Sequence, residues 1–214
     1  MKTVLLGATG MVGSRIATEA LARGHQVTAL TRSGLAPEEG NPNLTAVAAD
    51  AADPARLAEL AAGHDAVAAA LVPPRDGTDP REPFTALYDD VLRGVRQAGV
   101  RRLVIVGGAG SLLVGPGRML VDTPDFPEAH RGEALAHHDL LARLRGVDDL
   151  EWTYISPAAE IAPGERTGRY RLGGDRLLTD AEGRSAVSAE DYAIAFVDEL
   201  ESAAHIRERI SVVG

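Results

Sequence analysis

Short apolar runs recur along the chain at 3–7, 26–30, 44–50, 66–72, 102–108 and 151–156, rich in Val, Leu, Ile and Ala. Two of them, Ala66-Val-Ala-Ala-Ala-Leu71 and Leu103-Val-Ile-Val-Gly-Gly108, contain no polar residue. Such runs are expected of parallel strands covered on both faces. Between the runs the apolar period lengthens to that of a helix. Residues 84–98 place Phe84, Leu87, Tyr88, Val91, Leu92 and Val95 on one stripe, and Gly99 closes the segment. Residues 189–202 place Tyr192, Ala193, Phe196, Val197 and Leu200 on one face, and Ser188 with Asp191 reads as a capping box. Alternation of this kind predicts a doubly wound parallel sheet with helices on both faces.

Two stretches break the rhythm. Residues 72–83 form a proline-rich loop after the fourth run, and residues 109–130 are punctuated by Gly and Pro after the fifth. Both leave the carboxyl ends of predicted strands, where open α/β sheets bind their ligands, and long loops there are commonly lids.

The strand Thr3–Leu6 runs into Gly7-Ala-Thr9-Gly10-Met-Val-Gly13 and then into a helix whose stripe carries Val12, Ile16, Ala17, Ala20 and Leu21. The first glycine permits the tight turn, the second lets a diphosphate approach the backbone, and the third lets helix and strand pack closely. Bare amides at a helix N-terminus favour an anion there. A Rossmann-like α/β fold follows, with Gly7, Thr9, Gly10, Met11 and Val12 expected at a dinucleotide diphosphate.

The residue after the second strand selects the dinucleotide. Sites for NAD place an acid there to bond the ribose 2′-hydroxyl. This chain reads Thr28-Ala-Leu-Thr31-Arg32-Ser33, and Arg32 suits a 2′-phosphate that a carboxylate would repel. NADPH is therefore expected, with NADH as the second choice. Asp50, with Ala51, is placed to meet the adenine. Asp53-Pro54 reads as a helix N-cap with proline at the first helical position.

Composition narrows the chemistry. The 214 residues suit one domain over 1–214, and 45% hydrophobic residues supply a core. A net charge of −9 argues against nucleic acid or an anionic membrane as partner. Cysteine is absent, which removes disulfides and thiolate chemistry, and no metal site is expected. No apolar run reaches the ~18 residues of a membrane helix, and the chain enters its first strand at once, so a cytoplasmic protein is expected, monomeric or homodimeric. Of 22 basic residues only Lys2 is a lysine, at the foot of the first strand. Lysine is thus excluded as a base, Schiff base or proton relay.

With the glycine turn, Arg32, Asp50 and Val104-Ile-Val-Gly-Gly-Ala-Gly-Ser111 in hand, the chain resembles the atypical short-chain dehydrogenase/reductases. It is most similar to their bacterial NADH-flavin reductase group, near the NmrA-like and biliverdin-reductase-B-type proteins. The likeness spans essentially the whole chain, including Leu120–Pro127, Trp152–Pro157 and Gly164–Asp175. It implies NAD(P)H binding and hydride delivery to flavins, FMN among them, or to related conjugated acceptors bound transiently. It also implies that Leu71, Val72, Gly107, Gly108, Ser111 and Pro157 flank the nicotinamide ribose. The acceptor side is expected from about 109–130 and from a small C-terminal extension at 158–188.

One departure from the wider superfamily matters. Its usual Tyr-x-x-x-Lys pair has no counterpart, since Tyr88, Tyr154, Tyr170 and Tyr192 are followed four places on by Leu92, Ala158, Gly174 and Phe196. Ser111 and His138 are the remaining candidates for chemistry; adjacent His137 points about 100° away on a helix, which argues against joint metal binding. Three readings stay open: a flavin-type reductase, a non-catalytic NADP(H) sensor of NmrA type, and a reductase of quinones or another small acceptor.

Overall fold

A computed structural model describes residues 1–35 and 40–214. The strands are β1 (Lys2–Leu6), β2 (Gln26–Thr31), β3 (Leu44–Ala48), β4 (Ala66–Ala69), β5 (Arg102–Val106), β6 (Leu113–Gly115), β7 (Arg118–Met119), β8 (Glu151–Ser156), β9 (Glu160–Ala162), β10 (Arg171–Gly173), β11 (Ala186–Ser188) and β12 (Glu208–Val213). The helices are α1 (Met11–Ala22), α2 (Pro54–Ala61), α3 (Arg81–Gln97), α4 (Glu128–Leu144) and α5 (Ala189–Ser202).

Eight strands form one sheet in the order β10-β12-β8-β5-β4-β1-β2-β3. All its pairings are parallel except β10 on β12. The chain starts mid-sheet, winds outward to β3, then returns through α2 to β4 and winds the other way. That reversal between β1 and β4 is a topological switch point, the crevice where Rossmann-like sheets take ligands.

Strand alternation sorts the core into two layers. Val4, Leu6, Val67, Ala69, Leu103, Ile105 and Tyr154 face α2, α3 and α4. Leu5, Ala29, Ala66, Ala68, Val104 and Ile155 face α1 and α5. Each large side chain buried this way stabilises the fold by about 1.5–3 kcal/mol, so both helical layers are held firmly. The stripes expected on α3 and α5 point inward, with Phe84 and Tyr88 meeting edge to face at 5.0 Å. Asp53 caps α2 by accepting the Arg56 amide at 3.0 Å, with Pro54 at the first helical position.

Three expectations need correction. The runs at 44–50, 66–72 and 102–108 stop as strands at Ala48, Ala69 and Val106, because their last residues turn over the carboxyl edge of the sheet. The 109–130 stretch contains the β6–β7 hairpin and a 3-10 turn at Leu120–Asp122. Its order comes from far along the chain: the Leu113 amide bonds Asp175 O at 2.8 Å, and the Leu177 amide bonds Leu113 O at 3.0 Å. Finally, the box on α5 is half formed. Ser188 Oγ accepts the Asp191 amide at 3.0 Å, but the Asp191 carboxylate accepts from the Thr167 hydroxyl and the Gly168 amide instead. Among the described residues no helix is long and apolar enough to cross a membrane.

Candidate functional site

At the end of β1 the backbone of Gly7 turns to a φ of +76°, and a Cβ there would lie 2.3 Å from Ala70 O. Any side chain would push β1 and β4 apart. The helix then returns over the turn so closely that a Cβ on Gly13 would sit 2.1 Å from Gly7 O. Gly10, the N-cap of α1, is different: its φ of −72° suits any residue, and it stands exposed. The helical ladder begins with the Ser14 amide on Gly10 O, at 2.9 Å. The amides of Met11 and Val12 therefore precede it, and no side chain caps the end and no acid lies in the first turn. Exposed Thr9, Gly10 and Met11 complete a cradle with a positive helix terminus behind it.

The flanking strands add the other expected residues. Arg32 is exposed just past β2. Asp50 is exposed past β3, where its Oδ1 accepts the Ala52 amide at 3.0 Å, beside buried Ala51. Three of the large apolar residues that remain exposed, Met11, Leu35 and Val72, stand beyond β1, β2 and β4. An apolar rim round an anion cradle fits a ligand with both rings and phosphates.

Beyond β5 the chain is pinned from below. Gly107 lies on the Tyr154 ring, where a Cβ would come within 2.3 Å. The Tyr154 hydroxyl accepts the Gly108 amide at 2.9 Å and donates to His137 O at 3.1 Å. The Ser156 hydroxyl donates to Gly108 O at 2.9 Å, next to buried Pro157. Neither polar group of the Gly108 residue is left without a partner, so this edge is preorganised. His137 is buried against Phe84 and Tyr154, and burial pushes its imidazole down to about 4. It is neutral at pH 7 and is no proton donor.

Ser111 and His138 share one cleft of about 220 Å³ between α4, the β6–β7 hairpin and β12. Ser111 is buried and its Oγ accepts from Arg209 Nη1 at 3.0 Å; His138 is half-buried, with Nδ1 3.3 Å from Asp139. Sequence reasoning missed the cleft's charged residues Arg209, Asp175 and Arg145. In sequence Arg209 follows Arg207 and Glu208 at the start of β12, where a charged residue reads as a solvated strand end, so no local signal marked it.

The tyrosines offer no proton shuttle. Tyr88, Tyr154 and Tyr192 are buried, and burial raises each above its ordinary range. Tyr170, pushed up to about 12 by burial and by Asp198, lies on the α5 side. Lys2 is at the opposite end of the sheet. Among the described residues no group of three or more His, Asp or Glu is arranged to hold a metal ion. The 72–83 loop is tied to α4 by Arg75, which holds the Glu133 carboxylate at 3.0–3.2 Å.

Fold and cradle together are those of a Rossmann-like dinucleotide-binding protein. Residues 7–203 match the family model for NAD(P)H binding, and the chain belongs to that family. It is 38% identical to the uncharacterized protein YwnB of Bacillus subtilis, covering 100% of this chain and 99% of that one. A Burkholderia pseudomallei structure named as a putative exported protein is 51% identical, with 100% of both chains covered and a TM-score of 0.89. A Streptococcus pneumoniae structure named as a putative NADH-flavin reductase is 36% identical, covering 100% of this chain and 99% of that one, with a TM-score of 0.82.

Proposed function

We propose that this protein is a cytoplasmic NADPH-preferring reductase that passes hydride to a flavin or a similar conjugated acceptor. The observation that carries the reading is an open dinucleotide cradle beside an edge without an acid–base dyad. When bound, the reduced dinucleotide supplies a hydride, two electrons with one proton. A ketone receiving it needs a proton on oxygen, and no lysine-tuned tyrosine is present to give one. An isoalloxazine accepts hydride at N5, spreads the charge over its rings and takes its proton from solvent. What remains for the protein is orientation and exclusion of water.

In this reading Gly7, Thr9, Gly10, Met11 and Val12 hold the diphosphate, Arg32 the 2′-phosphate, and Asp50 with Ala51 the adenine. Leu71, Val72, Gly107, Gly108 and Pro157 border the nicotinamide ribose. Residues 109–130 and 158–188 form the acceptor side, with Ser111 and His138 toward the acceptor. The pneumococcal relative's name supports the flavin as acceptor, and Arg32 supports the 2′-phosphate.

The test is NADPH absorbance at 340 nm with FMN or riboflavin in excess. Saturable oxidation well above the spontaneous rate is expected. Equal rates with and without protein, despite tight NADPH binding, would favour a sensor of NmrA type; turnover with quinones alone would replace the flavin.

A further inference from the structure

The cleft between α4, the β6–β7 hairpin and β12 is too small for a whole ring system, since ligand pockets commonly run from about 300 Å³ upward, whereas it measures about 220 Å³. Its chemistry is that of an oxyanion site. Arg209 forms the floor, its side chain only 4% exposed, with Nε on the Asp175 carboxylate at 2.7 Å and Nη1 on Ser111 at 3.0 Å. Ser111 accepts that bond, so its own hydroxyl proton remains to be donated, and no acceptor for it is present among the described residues. Arg145 stands at the mouth, more than half exposed, on a single long contact of 3.3 Å to Asp175. An exposed pair of that kind contributes little, so Arg145 can turn to a ligand at small cost. Two guanidinium groups face one carboxylate here, leaving a positive surplus in a chain whose net charge is −9.

We infer that this cleft receives the phosphate tail of the acceptor, so that the preferred acceptor is a phosphate monoester such as FMN rather than riboflavin. The inference rests on the reading that a flavin docks beside residues 109–130. Leu113 and Met119 of that segment form the apolar wall along which a tail would pass, with His138 opposite. Arg145 and Arg209 offer charge-assisted hydrogen bonds to phosphate oxygens, and Ser111 adds a neutral one. Asp175 sets Arg209 in place and weakens the site by its own charge.

Equilibrium quenching of flavin fluorescence tests this apart from turnover. FMN is expected to bind about tenfold tighter than riboflavin, the scale of one good charge-assisted contact. Inorganic phosphate should compete with FMN and leave riboflavin unaffected. Arg145→Ala should erase most of the FMN preference, and Arg145→Lys should restore part of it. Asp175→Asn should tighten FMN, the opposite of what a merely structural loss would do. Equal affinities for the two flavins, no binding of either, or an unchanged ratio in Arg145→Ala would overturn the inference. Turnover without a preference would leave the reductase standing; a preference without turnover would sink the reductase and keep the phosphate site.

Discussion

At the amino-terminal end of the sheet, Arg102 and Glu199 are buried side by side at 2.7 Å, and almost every polar atom around them is engaged. Arg102 also donates to Glu151 O and the Thr153 hydroxyl, while Glu199 accepts from Thr153, the His205 amide and the His205 ring. At the carboxyl end, the Met11 and Val12 amides precede the helical ladder and Met11, Leu35 and Val72 stay exposed. The first end spends its polar groups on the fold. The second leaves amides at a helix end without a side-chain cap, and that contrast is what separates the two ends.

Electrostatics follows the same division. Burial alone would raise Glu199, but the hydrogen bonds from His205, the Arg102 charge and the Thr153 hydroxyl together hold it below the usual carboxylate range. Burial lowers Arg102 more than Glu199 and Glu151 can restore. Ion pairs buried this way are weak sources of net stability, yet costly to break from one side.

The largest expected effect comes from Glu199→Ala. Stripping the carboxylate from buried Arg102 should cost about 3–5 kcal/mol in denaturant unfolding. NADPH affinity should hold in the fraction that stays folded. A comparable loss of affinity would show that the two ends are not independent. Gly7→Ala follows, with a left-handed alanine and a clash against the β4 turn; a loss of about 3 kcal/mol, together with nucleotide binding, is expected.

Acid should reveal the next difference. His137, with its folded value depressed to about 4, is unprotonated in the native state while the unfolded chain takes up a proton below about 6.5. Stability is thus fully present above 6.5 and falls as pH drops toward 4, by up to about 3 kcal/mol. His137→Leu should flatten that slope, because the Tyr154 hydroxyl keeps His137's backbone oxygen as acceptor. Glu199 acts lower, its contribution lost only as pH falls below the usual carboxylate value. Smallest is Arg32→Ala, expected to cost NADPH about 1.5–3 kcal/mol of affinity while leaving NADH nearly unchanged. Equal losses for both would remove the 2′-phosphate assignment.

The carboxyl end was the more legible of the two from sequence, because its signals are local. Glycine spacing, the strand before it and the helix after it all lie between Lys2 and Ala22, and Arg32 follows the next strand directly. The amino-terminal network joins Arg102 to Glu199 across 97 residues, so only the fold could pair them. Ser111 was legible as a residue just past β5, but its bond to Arg209, 98 residues on, was not. Adjacent His137 and His138 were separable by helical stagger; which one enters the core depends on Phe84 and Tyr154, supplied by other elements.

Gly10 gives the most direct test, since its backbone accepts any residue and nothing but Gly7 O lies near an added Cβ, at 3.3 Å. Calorimetric titration of NADPH into wild type and Gly10→Val, with melting temperatures taken alongside, isolates the cradle from the fold. Saturable binding to wild type is expected, and little or none to a variant that melts within a few degrees of it. Binding that survives the valine unchanged, or no binding by the wild type at millimolar NADPH, would contradict that expectation.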